Sequence, residues 1–280
     1  MIEFAKSLVR QPATLVAFAI LIFVVAVALG ADLIFPGNPF RMAGRPNLPP
    51  LSPGLPFGTD MLGRNLAAAV AHGSRVTLTI AGLATLVAVA FGTSVGAIAG
   101  YYGALLDDAV MRTTEFFQAI PSFLFAIVLI AVVAPSRASI IFAIAAVSWP
   151  SIARLVRAEV LSLRHRDFVR AAQVGGLSDM RILFGHIIPN AISPLLVGAS
   201  VVMATSILIE SGISFLGLGD RNAVSWGYLI GTGRTAVRVN WWLSAIPGFA
   251  IFLTVWSINL VGDGLSAWLN PRRSEQRPFP

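Results

Sequence analysis

Six long apolar runs dominate this chain, at approximately residues 13–34, 76–99, 116–134, 138–156, 190–212 and 243–262. Each is close to the roughly 20 mostly apolar residues that a helix needs to cross the hydrocarbon of a bilayer. A backbone inside lipid must satisfy its own hydrogen bonds, so only helices and closed barrels can span it. Continuous runs, rather than alternating ones of about ten residues, select helices. The expected fold is all-α, a polytopic bundle of six transmembrane helices in a single domain over residues 1–280. Composition agrees: 56% of residues are hydrophobic and 12% charged, against about 25% charged in soluble domains.

The first run follows Lys6 and Arg10 and is trailed by ALGA, which resembles a secretory signal. It exceeds the usual ~7–15 apolar residues of such a signal and reads as a retained span. Cysteine is absent, which removes disulfides, thiolate metal sites and thiol nucleophiles. The formal charge of +7 resides at the ends of apolar runs, where orientation and lipid headgroups account for it, and nucleic acid is not an expected partner. Arg154, Arg157, Arg164, Arg166, Arg170 and Arg181 crowd the fourth-to-fifth connection, which places it in the cytoplasm. Both termini, with Lys6, Arg10, Arg272, Arg273 and Arg277, then face the cytoplasm as well, and Arg221 lies outside.

Two outward segments are long. Residues 35–75 begin rich in proline, so an extended, turn-rich excursion is expected, followed by a short interfacial helix in LGRNLAAAVAHGSRVTL before the second span. Residues 212–242 end in Trp241 and Trp242, a pair suited to the headgroup layer.

Polar and small residues within the spans need separate accounts. Gly92, Gly96 and Gly100 recur every fourth residue, so one helix face lacks side chains and can approach another backbone closely, with a path-lining role as the second reading. Glu115, Glu159 and Asp263 lie near span ends, where ion pairing is the simpler role and transport chemistry the other. Glu210 is embedded after VVMATSILI. It either faces a wet pathway and attracts a cationic group such as a peptide amine, or accepts bonds from neighbouring helices.

No catalytic set is expected. Gly212-Ile213-Ser214 begins like an intramembrane protease motif, but His72, His165 and His186 offer no buried base. The same three scattered histidines form no metal site. Lys6 is the sole lysine, so a phosphate-binding loop with its lysine is excluded. Any drive by ATP must come from another subunit docked on this one.

Between the fourth and fifth runs lies RAAQVGGLSDMRILFGHIIP, residues 170–189. It resembles the EAA motif of permease subunits of bacterial ABC importers, in which Glu-Ala-Ala is followed by three residues, Gly, nine residues, Ile, one residue and Leu-Pro. Ala171 and Ala172 occupy the alanines, Gly176 the glycine, Ile188 the leucine and Pro189 the proline. Arg170 replaces the family's Glu and His186 its Ile. Further resemblance to the C-type component of the dipeptide, oligopeptide and nickel permeases lies in FGTDMLGRN (57–65, with Asn65 where Asp is common), GYYGALLDDAVMR (100–112), SFLGLG (214–219), SWG (225–227), NLVGDGL (259–265) and NPR (270–272).

The resemblance implies a type I ABC importer permease fold in the bacterial inner membrane. It implies a cytoplasmic coupling loop at about 160–189, two short helices broken at Gly175 and Gly176, with Arg170, Ala171, Ala172, Asp179, Arg181 and His186 toward the ATPase and Pro189 opening the fifth span. The implied partners are a homologous permease, two cytoplasmic ATPase subunits that carry ATP and Mg, and an extracytoplasmic solute-binding protein that meets residues 35–75 and 212–242. Lipid contact and mutual packing are the other use of those segments. Peptides are the implied cargo, with nickel complexes, glutathione or opine-like solutes as alternatives. A secondary transporter or channel, and a membrane scaffold, are the competing classes.

Overall fold

The computed structural model describes residues 12–220 and 222–269. Lys6, Arg10, Arg221, Arg272, Arg273 and Arg277, used above for orientation, and the motif at 270–272 lie outside the described residues. Among the described residues there are no strands, only isolated bridges within 42–65.

The long helices are α1 (Pro12–Ile34), α2 (Leu66–Tyr102), α5 (Arg137–Leu163), α8 (Ile192–Phe215) and α10 (Trp242–Leu269). Between α2 and α5 come α3 (Ala104–Ala119) and α4 (Ser122–Val133); between α5 and α8 come α6 (Asp167–Val174) and α7 (Asp179–Ile182); α9 (Trp226–Gly233) precedes α10. Five helices are long and apolar enough to cross a membrane, or six when the bent pair α3 and α4 counts as one span.

Two elements depart from expectation. The separate interfacial helix before the second span does not exist: α2 is one helix of 37 residues, about 55 Å at 1.5 Å per residue. Asn65 caps it, its side chain accepting from the amides of Ala67 and Ala68, and the alanine-rich start that follows favours helix, so nothing interrupts it. The third span is also not straight. Pro121 drives Ile120 into an extended conformation (φ −94°, ψ 129°), and α3 and α4 meet at 87°. Twelve residues in α4 reach only about 18 Å, short of the roughly 30 Å hydrocarbon.

Packing follows the glycines. The helix α2 lies along α5, and a β-carbon at Gly92 would stand 2.7 Å from the Trp149 carbonyl oxygen, one at Gly100 2.9 Å from that of Arg157. At Gly96 it would strike the backbone of Ala153. Such contact between backbones replaces the side-chain burial that drives soluble bundles, because lipid is as apolar as leucine.

The polar cross-links differ from those expected. Among the described residues Glu115, Glu159 and Asp263 make no ion pair. The pair that braces this region joins Asp107 of α3 to Arg157 of α5 through two parallel bonds from one guanidinium edge, Nε to Oδ1 and Nη2 to Oδ2, the latter at 2.5 Å. Their side chains keep 13% and 31% of their surface, so loss of one partner strands a charge in a poorly hydrated place. Arg157→Met should lower stability by about 2 kcal/mol, below the ~3–5 kcal/mol of a fully buried pair. Asp107→Asn in the same chain should recover part of it, as read by thermal unfolding of the detergent-solubilised protein.

Candidate functional site

At one end of the bundle, α6 and α7 form a compact pair. Val169, Ile182, Leu183 and Ile187 are fully buried and share one apolar cluster with Ala97 of α2 and Val156 and Val160 of α5. One further bond holds the pair to the bundle end, the Tyr101 hydroxyl donating to Asp179 Oδ1 at 2.8 Å; just before α6, Arg164 Nη1 donates to the Gly100 carbonyl at 3.0 Å and ties the end of α5 to that of α2.

The turn between the two helices has a specific cause. The amide of Leu177 donates to the carbonyl of Ala172 and that of Gly176 to Gln173, the double bond pattern that closes a helix through a residue in the left-handed region. Gly176 occupies that place, at φ +76°. No atom lies within 4 Å of where its β-carbon would be, so its surroundings are open.

The outer face carries Arg170, Ala171, Gln173, Arg181 and the apolar side chains of Val174, Met180 and Phe184, with Val174 90% exposed. Gly175, Gly176 and Pro189 are exposed too, and His186 is half-buried. Of the residues expected on this face, Ala172 turns inward, and Asp179 stays exposed but is tethered. Ala172 packs on the chain's own core cluster, because it lies three residues beyond Val169 on the same helical stripe. Asp179 is held by Tyr101. Pro189 does not open the fifth long helix: it sits in a short turn, Ile188–Asn190, after a π-helical turn at Leu183–Ile187, and α8 starts at Ile192. Without an amide hydrogen, Pro189 cannot bond the carbonyl four residues back, and the winding is wide just before it.

Sequence reasoning did not find Tyr101, or the anchors Val169, Ile182, Leu183 and Ile187. The spacing of the last three, at one, four and five residues, was a readable helical stripe.

The opposite end of α2 meets the proline-rich excursion. Thr59 is completely buried, its hydroxyl donating to the Arg45 carbonyl and accepting from the Leu48 amide. Asp60 Oδ1 accepts from the amides of Leu62 and Arg64. FGTDMLGRN is therefore a self-bonded turn that ends in the cap of α2. Arg64 stacks on Phe40, 5.0 Å from the ring centre. The segment expected outside at 212–242 is less exterior than that in its described part, since Ser225, Trp226, Gly227, Leu229 and Gly233 are buried. The Trp226 indole donates to the Val70 carbonyl at 2.9 Å.

Glu210, in α8, has no exposed surface. The Ser214 hydroxyl donates to it at 2.7 Å, that of Thr77 at 3.3 Å and that of Ser211 at 3.5 Å. A side chain so enclosed does not line a path in this conformation, and the geometry fits the alternative, an acceptor between helices.

A polytopic bundle whose charged, exposed helix pair is rigidly seated at one end belongs among membrane transport subunits. Residues 92–275 match the family described as binding-protein-dependent transport system inner membrane component, and the chain belongs to that family. It is 38% identical over 271 residues to a putative peptide transport system permease protein of Brucella suis, covering 96% of this chain and 90% of that one. It is 39% identical over 217 residues to a dipeptide transport system permease protein of Alkalihalophilus pseudofirmus (77% and 71%). An oligopeptide transport system permease protein of Haemophilus influenzae is likewise 39% identical over 217 residues (77% and 70%).

Proposed function

We propose that this chain is one of two homologous permeases of an ATP-driven importer that moves peptides across the bacterial inner membrane. The α6–α7 pair carries the proposal: it is anchored by fully buried apolar residues on α2 and α5, and presents to the exterior a face of apolar and basic side chains. Such a face suits a soluble partner subunit that binds ATP and Mg, two copies of which would serve the two permeases. The arginine-rich fourth-to-fifth connection favours a cytoplasmic location for this end, with both chain termini on the same side. Residues 35–65 and 216–241, at the other end, would then face a solute-binding protein.

The mechanism follows from rigidity. Closure of the ATPase pair on nucleotide displaces α6 and α7, and because Val169, Ile182, Leu183 and Ile187 are packed without exposed surface, the push passes to α2 and α5 instead of being absorbed. A bundle that moves as a body can then open to one side and close to the other. Arg170 and Arg181 project from the docking face, Ala171 permits close approach, and the exposed Asp179 is held in place by Tyr101.

Peptide cargo is supported by the relatives, which are named as peptide, dipeptide and oligopeptide permeases. The test is uptake in membrane vesicles with the whole complex. Peptide uptake should require the binding protein and ATP hydrolysis, and an ATPase should co-purify with the chain. Uptake that persists without hydrolysis would favour a secondary transporter. Direct binding of candidate solutes to the cognate binding protein identifies the cargo.

A further inference from the structure

Glu210 has no part in the docking face, yet it is the most completely enclosed acidic side chain among the described residues. Its neighbours come from three elements. Ser211 and Ser214 belong to α8, Thr77 to α2, and Ser225, whose hydroxyl also interacts with it, precedes α9. No arginine, lysine or histidine among the described residues pairs with it.

Its electrostatic partner is the start of α9. The Trp226 amide donates to Thr77 Oγ1 at 3.2 Å, and the Tyr228 amide donates to Ser225 Oγ at 3.2 Å. The Thr77 hydroxyl uses its own hydrogen toward the carboxylate while accepting from the helix, and Ser225 stands beside it as the cap of α9. One orphan amide of the first turn is thus relayed through Thr77 to the carboxylate, a second is capped by Ser225, and the positive end of α9 faces Glu210. The fit is tight, for a β-carbon at Gly227 would lie 2.8 Å from the carbonyl carbon of Ser211. Just upstream, Arg137 Nε donates to Asp220 Oδ2 at 2.9 Å, tying the preceding loop to the start of α5.

We propose that Glu210 is a positioning residue of the transport cycle: it seats the first turn of α9, and with it residues 222–225 just before it, between α2 and α8, so that a binding protein landing there pushes on the bundle. This rests on the importer reading. The seat is polar because an apolar contact would let α9 slide or turn, whereas three hydroxyls donating to one carboxylate, one of them also holding the Trp226 amide, admit a single register.

The chain contains no cysteine, which makes a clean reporter available. Ala223 is 5% exposed, and Ala223→Cys is a small change that a membrane-impermeant maleimide reads directly. In the assembled complex in proteoliposomes, Glu210→Leu should raise the labelling rate of that cysteine about tenfold, since its donors are left without an acceptor. It should also abolish stimulation of ATP hydrolysis by the binding protein, at unchanged yield of complex and unchanged basal hydrolysis. Glu210→Gln keeps an acceptor oxygen and should stay close to the parent in both.

A general loss of folding would lower yield and basal hydrolysis together, so the ratio of stimulated to basal rate separates the two. Should Glu210→Leu fail to assemble, Thr77→Val removes the donor that lies on α2 and carries the same two readouts. Labelling as slow as in the parent, or intact stimulation with either variant, overturns the proposal. The importer reading fails separately, if the parent chain co-purifies with no ATPase.

Discussion

Gly176→Trp is expected to reduce ATP-driven uptake to a small fraction of the parent value while the bundle still folds. Two effects combine. The residue sits at φ +76°, where a side chain costs roughly 1–2 kcal/mol, a shift of about five- to thirtyfold in the population of the docking-competent turn. The indole would also project from the turn that joins α6 to α7, where nothing lies within 4 Å of the β-carbon position, and so into whatever docks there. Gly176→Asn separates the two, because asparagine tolerates the left-handed region and is small. Uptake near the parent level with Asn and lost with Trp is the expected pattern, measured in vesicles beside co-purification of the ATPase. Normal uptake with Trp would remove the turn from the docking surface.

Gly96→Leu should be worse for the protein itself. The β-carbon at this position meets backbone atoms of Ala153, not a side chain that can swing away, so α2 and α5 must part along their length. Overpacking costs about 1–3 kcal/mol where side chains can yield, and this contact sits above that range because none can. Even Gly96→Ala should lower the unfolding temperature clearly, whereas Gly82→Ala, whose nearest neighbour is Met203 Cε at 4.0 Å, should be neutral. Equal stability of the two alanine variants in detergent would overturn the packing account.

The spans were legible because apolar length is a one-dimensional signal. What blurred it was chemistry that runs cannot express. Pro121 sits in a stretch apolar enough to suggest a straight span, yet it acts on its predecessor Ile120 and turns the chain through 87°. Leu66–Val76 is too mixed for hydropathy to include, but its alanines and the Asn65 cap carry α2 through it. At the docking end, the break at Gly175 and Gly176 follows from glycine alone. That Ala172 faces inward and Ala171 outward depends on where Val169 finds its cluster, which only the assembled bundle determines.

Pairs distant in sequence were not readable. Asp107 and Arg157 are brought together by the crossing of α3 over α5, and Thr77 and Trp226 by the return of α9. Glu210 illustrates the limit best. A lone carboxylate in a span admits two meanings from sequence, and the hydroxyl that distinguishes them arrives from Thr77, on another helix.

The length of α2 has a mechanical consequence. Its first turns touch α9 through Val70 and Thr77, and its last residues hold Asp179 and Arg164. It contains no proline and is about 55 Å long. A shaft of that length, tilted by about 5° about its middle, carries each end roughly 2 to 3 Å in opposite directions. One uninterrupted helix can therefore act as a rocker between its two ends: under the coupling role proposed for α6 and α7, a nudge delivered there would reappear, reversed, beside α9, with no signal relayed through intermediate side chains.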